Sequence, residues 1–485
     1  MRLSATTFAA CLAAAYSTGA TLHAQVPPSP APDLVVVSTG APDGYVQDTQ
    51  NNYLYGSPAS PQPYPLVWAL EHTGTPGGSG PYGPTYGYHV QLTAGTYAPF
   101  KFDTGSTSAP SVNWIGSSNA SPVIVQGGAG VVIERSTGPG SDTIFVISGG
   151  DPGHPFNFIT WRDIFIEAST RAGVLIGWGG DPPDEVAYTG WTFENCEIDG
   201  DFDHAAQSGP DSKWGMLTWA LADFTWSGGS VHNIHREHCF YMHNNAGDVL
   251  IEDADLYEVG RTALQVVARK WEGTPQNPVL PPNPGDITLR DCVIADTGLF
   301  NAGINPDSGL PYSSNFHHGQ SVTIVGRQLG TSTVTGNRIE YGLDTFTPGL
   351  RAAIVARHDY PPNTPYGNGA FHAWTTPKED FEQSTLLILH SNRITYNATG
   401  CDYKPVVVGA FLFACVQNNF VSSGSKPDAI EVGLVPTSGQ PPWHPAPIFY
   451  QIEGNVCLQG SGAPGNILFL DVPIQQPYTN QLLCP

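Results

Sequence analysis

Apolar residues recur along this chain in pairs separated by four positions. Nine segments fit the template: Trp161/Ile166, Phe193/Ile198, Trp226/Val231, Ile251/Leu256, Leu289/Ile294, Val334/Ile339, Leu389/Ile394, Cys415/Phe420 and Ile452/Cys457. The fourth template position reads Ile164, Cys196, Gly229, Ala254, Cys292, Asn337, Asn392, Asn418 and Asn455. Four asparagines in succession at one position predict a stacked amide ladder, each side chain bonded to the copies above and below. Such ladders form where parallel strands stack in register about 4.8 Å apart. A second apolar strand follows the template, at 263–269, 321–327, 352–357, 406–410 and 429–433. The repeat length varies, as expected of a short coil carrying loop insertions at its corners. This pattern predicts an all-β chain folded as a right-handed parallel β-helix.

Composition agrees: Gly 55 and Pro 44 in 485 residues supply many turns. A solenoid buries its core between neighbouring coils, so one elongated domain accommodates this length. Residues 1–24 read as a secretory signal ending in Leu22-His23-Ala24, which predicts a secreted or periplasmic protein. Residues 25–85 form an N-terminal segment in which Pro63 to His72 is a capping helix, and 86–485 form the β-helix with a C-terminal tail. No stretch after the signal approaches a membrane span, and a monomer is expected. Cys196 and Cys292 share the ladder position three coils apart, beyond disulfide reach, and are read as buried thiols. Cys401/Cys415 and Cys457/Cys484 are left as open pairings.

In the opening coils, Leu92-Thr-Ala-Gly-Thr-Tyr97 is followed by Pro122-Val-Ile-Val-Gln-Gly127. These segments resemble those of secreted right-handed β-helix proteins acting on polysaccharides, the pectate-lyase-like superfamily. The resemblance implies the same architecture from about residue 85 onward and a carbohydrate-directed activity. Fold alone does not set function, and the sharper polygalacturonase and pectate lyase signatures are absent.

Alternation in the second apolar strand places Tyr241 and His243 outward, with Arg269, Arg327 and Arg357 on the following coils, so the pattern predicts a row of basic side chains. Lys270 and His358 adjoin it. Arg236 and Arg261, at matching positions on successive coils, extend the strip. Guanidiniums this close repel one another unless something anionic lies along them, although an arginine at a strand end also commonly pairs with a loop carboxylate. Long insertions flank the row and carry Trp271, Tyr312 and Trp374, flat side chains suited to sugar faces. Arginine grips carboxylate in bidentate fashion. The set suits β-elimination from a uronate polymer: Arg269 neutralises the carboxylate, His243 and Tyr241 exchange protons, and Lys270 or His358 substitute for them. Arg327 and Arg357 bind substrate.

Two other readings stay open. Asp199, Asp201 and Asp203 are candidate paired carboxylates for glycoside hydrolysis, with Asp253, Asp255 and Glu258 in the equivalent stretch two coils on; alternating aspartates around glycine equally suit calcium as oxygen ligands. His235, Glu237 and His238 have the residue types of a zinc site but straddle a corner. Otherwise no cofactor is required by the sequence. A non-catalytic adhesin-like solenoid is the third reading. With a formal net charge of −23, nucleic acid is a poor partner.

Overall fold

The computed structural model describes residues 34–103, 110–138, 140–146, 156–177, 188–219, 221–243, 247–267, 272–274, 277–279, 285–299, 320–325, 330–341, 352–357, 386–396, 405–408, 413–424, 427–432, 449–459 and 462–469. Each coil contributes one short strand to each of three sheets. The coil holding Ile159–Arg162, Phe165–Glu167 and Ala172–Ile176 is representative. Among the described residues the first sheet has 15 strands, the second 11 and the third 12. The solenoid strands pair in parallel with their counterparts one coil away, giving the right-handed parallel β-helix that the pattern predicts.

The template pair spans the corner between the first and second sheets. Register confirms it from coil to coil: Trp161 pairs with Phe193 and Ile166 with Ile198, and so on to Leu389 and Ile394. One pair slips. Leu389 stands over Val416 rather than Cys415, and Ile394 over Val421 rather than Phe420. The ladder residue on that coil is therefore Asn419, and Asn418 is exposed. The reason is steric. The position before the ladder is left-handed on every one of these coils, from Asp163 (φ 53°) through Asn195, Gly228, Asp253, Asp291, Gly336 and Ser391 to Asn418 (φ 54°) and Gly454. Asn418 fills that turn position, which asparagine tolerates, and the next residue turns inward.

Each ladder asparagine bonds to the next. Asn337 Nδ2 donates to Asn392 Oδ1 at 3.0 Å, Asn392 to Asn419 at 2.9 Å and Asn419 to Asn455 at 2.9 Å. Each second amide hydrogen goes to a main-chain carbonyl; Asn392 Nδ2, for example, reaches Val334 O at 2.8 Å. Every Oδ1 also accepts the backbone N–H one coil back, as Asn419 Oδ1 does from Asn392 at 3.0 Å. Earlier coils fill the same position with Ile164, Cys196, Gly229, Ala254 and Cys292, and there the core is aromatic. Trp226 stacks on Phe193 at 5.3 Å and meets Phe240 edge-on at 5.2 Å. Gly229 is obligatory, since a Cβ there would stand 1.9 Å from Cys196 O.

The solenoid starts earlier than residue 86. Leu34–Gly40 is already a parallel strand beside His89–Leu92, and Asp43–Asp48 pairs antiparallel with it. The helix comes out at Pro65–Glu71, its Leu66, Val67, Ala69 and Leu70 buried against those first strands, so it caps the open end. Cys196 and Cys292 are free, buried thiols pushed up to about 12 by burial. Cys415 is also a free thiol, which removes the Cys401–Cys415 pairing; Cys484 lies outside the described residues. No described helix is long and apolar enough to cross a membrane.

Candidate functional site

The third sheet differs from the second in what its outer face does. On the second sheet the outward Asp255, Val293, Arg338 and Arg393 are exposed. On the third sheet the outward row Leu175, Leu217, Tyr241, Gln265, Thr323, Val355, Val407 is set by register. Leu175, Leu217, Thr323, Val355 and Val407 in it are buried. Two apolar clusters separate from the main core lie on this face, one around Leu175 and Leu217, the other around Val355 and Val407. Side chains that point away from the core yet are buried mark a covered floor, where charges interact strongly.

Tyr241 lies on that floor against the first of these clusters. Its ring packs against Ala172, Leu175 and Leu217, lies 6.3 Å from the Trp214 ring, and meets His238 edge-on at 5.1 Å. Burial, and then the nearby Glu237 carboxylate, hold its hydroxyl above the ordinary phenol range, with Arg261 pulling the other way. Glu237 lies at the corner leading into the strand His238–His243. Its Oε2 accepts from Arg261 Nη1 at 2.9 Å and is 3.4 Å from His238 Nε2. His238 is buried, and its pKa lies well below the usual value because of desolvation and then the Arg261 charge. It is therefore neutral at ordinary pH.

The basic row changes in register. Arg357 pairs with Val325, Val325 with Val267, and Val267 with His243. His243 and Arg357 thus share a row, with valines on the two coils between them, roughly 14 Å apart at the usual strand spacing. The shared ending Val-Ala-Arg of 267–269 and 355–357 suggests a different alignment, but Ile354 stacks inward over Val322 and Leu264, and this apolar contact sets the register. Arg269 and Arg327 fall two residues beyond the valines. They lie outside the described residues, as do Lys270, Trp271, Tyr312, His358 and Trp374.

Arg236 and Arg261 do not form a free strip. Arg236 makes a bidentate pair with Asp211, and Arg261 takes Glu237. The zinc-type residues diverge: His235 bonds Asp211 at 2.7 Å and stacks on Phe202, while Glu237 and His238 turn to the third sheet. Desolvation lowers His235 to about 4.

Asp199, Asp201 and Asp203 sit at the exit of the second-sheet strand Glu197–Asp199. Asp199 Oδ1 accepts from Asp201 N at 2.7 Å and Asn233 Nδ2 at 2.9 Å. Asp201 meets Arg135 at 3.1 Å, and Asp203 Oδ1 caps Ala205 N and Ala206 N at 2.8 Å each. These are turn-forming roles. Among the described residues no group of three or more His, Cys, Asp or Glu is arranged around a cation position. What sequence reading missed is Glu237 and Trp214. Glu237 was weighed only as a metal ligand, and nothing in its local pattern reveals the guanidinium one coil away.

No family model and no curated protein sequence matches the chain. Among solved structures it is similar to a pectate lyase, Pel9A, with 10% identity, covering 81% of this chain and 74% of that one, at a TM-score of 0.40. It is also similar to the A-modules of two Azotobacter vinelandii mannuronan C-5 epimerases. AlgE6 shows 11% identity over 80% of this chain and 91% of its own, and AlgE4 12% over 80% and 88%, both at a TM-score of 0.29. At these values the likenesses assign no chemistry to this chain.

Proposed function

We propose that this chain is an exported enzyme that cleaves an acidic, uronate-containing polysaccharide by β-elimination on the outer face of the third sheet. The observation that carries the reading is the placement of Tyr241. Its hydroxyl is kept protonated by burial and by Glu237, beside the Arg261 guanidinium and the Trp214 ring, on a face withheld from water. Elimination needs a proton at the leaving glycosidic oxygen, and a phenol of raised pKa holds its proton until that oxygen develops charge. His243, two residues along the same strand, is the base for the C5 proton. As the C5–H bond breaks, its electron pair forms the C4–C5 double bond, the C4–O bond cleaves, and Tyr241 protonates the departing oxygen. Arginine neutralises the uronate carboxylate and so stabilises the enolate-like charge; Arg357 shares the His243 row, and Arg269 and Arg327 are the further candidates. Asp199, Asp201 and Asp203 remain the hydrolytic alternative.

The test is incubation with neutral and uronate polysaccharides, reading both the ultraviolet absorbance of an unsaturated product and new reducing ends. Tyr241→Phe removes only the hydroxyl and should lower turnover on the uronate polymer by about 10²–10⁴-fold with KM little changed. The alkaline limb of the rate should lie above the ordinary phenol range. Glu237→Gln should move it down, because a nearby negative charge raises a phenol's pKa and its loss lowers it. A fully active Tyr241→Phe with an inactive Asp199→Ala or Asp201→Ala, and reducing ends without absorbance, would hand the chain to the hydrolase reading.

A further inference from the structure

The first solenoid coil and its cap have a composition unlike the rest of the molecule. Residues 34–100 contain eight tyrosines and Trp68, and no lysine or arginine. Of the three large hydrophobic side chains exposed among the described residues, Tyr53 (54%) and Tyr82 (47%) both lie here. Tyr53 sits on a hairpin in which Asp43–Asp48 and Tyr53–Tyr55 pair antiparallel, Gln47 directly opposite Tyr53. Tyr45 supports it edge-on, with ring centroids 5.5 Å apart. Gln47 and Asn51 join their amides at 3.3 Å beside the rings. On the same end of the solenoid Tyr55 stacks on Trp68 at 5.3 Å and Trp68 on His72 at 3.8 Å.

An exposed tyrosine ring seated edge-on against a second one, with amides alongside, offers apolar contact area at small entropic cost and hydrogen bonds at the rim. The apolar C–H faces of a sugar complement the rings, and its hydroxyls complement the amides. Charge selects among sugars: Asp43 and Asp48 flank the hairpin and no cation lies within residues 34–100, so a polyanion is disfavoured. From these observations we infer that the outer face of the Asp43–Tyr55 hairpin is a second carbohydrate-binding surface, specific for a neutral polysaccharide. It lies at the capped end of the solenoid and is built from residues that the elimination chemistry does not use.

The test is native electrophoresis through gels containing a soluble neutral glucan, xylan or mannan, or polygalacturonate. The wild type should be retarded by at least one neutral polymer. Tyr53→Ala, which alters a half-exposed ring, should weaken that retardation at least tenfold when combined with Tyr45→Ala, and Tyr53→Phe should retain most of it. Turnover on the uronate polymer should stay unchanged in all three variants, so this surface and the third-sheet site are judged separately. Retardation by polygalacturonate alone, none by any neutral polymer, or equal retardation of wild type and the well-folded Tyr53→Ala protein would overturn the inference.

Discussion

The two halves of the solenoid solve one turn in opposite ways. From Trp161 to Leu256 the corner between the first and second sheets is closed by small or apolar residues, while the core beneath is filled by Trp161, Phe193, Trp226, Phe224 and Phe240. From Val334 onward the core is mainly aliphatic, with Leu389, Val416 and Ile452 and only the stacked pair Tyr341 and Tyr396 as rings among the described residues, and the corner is closed by four bonded amides. The backbone is the same in both: a left-handed residue, then a ladder position whose carbonyl accepts from the neighbouring coil, as Ile164 O does from Glu197 N at 3.0 Å and Asn392 O from Phe420 N at 2.8 Å. The difference teaches that the fold demands a backbone turn and a filled interior, and leaves open which of the two is reinforced. Large rings stiffen one half through dispersion and burial. The amide ladder stiffens the other through hydrogen bonds shielded from water, where leaving one unmade is costly.

Four substitutions sharpen this contrast, each read by urea titration. Trp226→Ala removes one of the three wholly buried tryptophans of the aromatic half and should cost about 4 kcal/mol. Asn419→Ala should cost about 3 kcal/mol, because Asn392 loses the acceptor of both its backbone and its amide N–H, and Leu389 O and Asn455 Oδ1 lose a donor. Asn418→Ala, one residue away, should cost only about 1 kcal/mol, the penalty of a left-handed backbone without asparagine's tolerance. Asn418→Gly should be close to neutral, since glycine accepts that conformation freely. Equal costs at positions 418 and 419 would undo the register that distinguishes them.

That pair of asparagines also shows how far sequence reading reaches. The template of two apolar residues with four positions between them identified the solenoid, its corner and most of its register, because burial of alternate side chains is written locally and repeats every coil. It slipped at Cys415/Phe420, where Val416/Val421 fits the same spacing and two adjacent asparagines compete for one place. Only the left-handed turn, a backbone property, ranks them. The third sheet was harder. Register puts Tyr241 in one row with the outward Leu217, but the two-residue offset of Arg357 came from Ile354 seating over Val322, a contact between residues that the chain alone does not align.

The sequence by itself thus determined the fold class and, apart from the slip at Asn418, the ladder column, since each rests on periodicity and turn chemistry within a few residues. Tertiary structure decided which charges meet. Glu237 reaches Arg261 rather than a metal with His235, Arg236 takes Asp211, and Asp199 is held by Asn233. These pairings depend on how each coil's corner stacks on the next, and loops of differing length set that stacking without leaving a trace in local pattern. The electrostatics of Tyr241 follow from the same cause: its partners lie on its own and the following coil, and the burial that raises its pKa belongs to the assembled face.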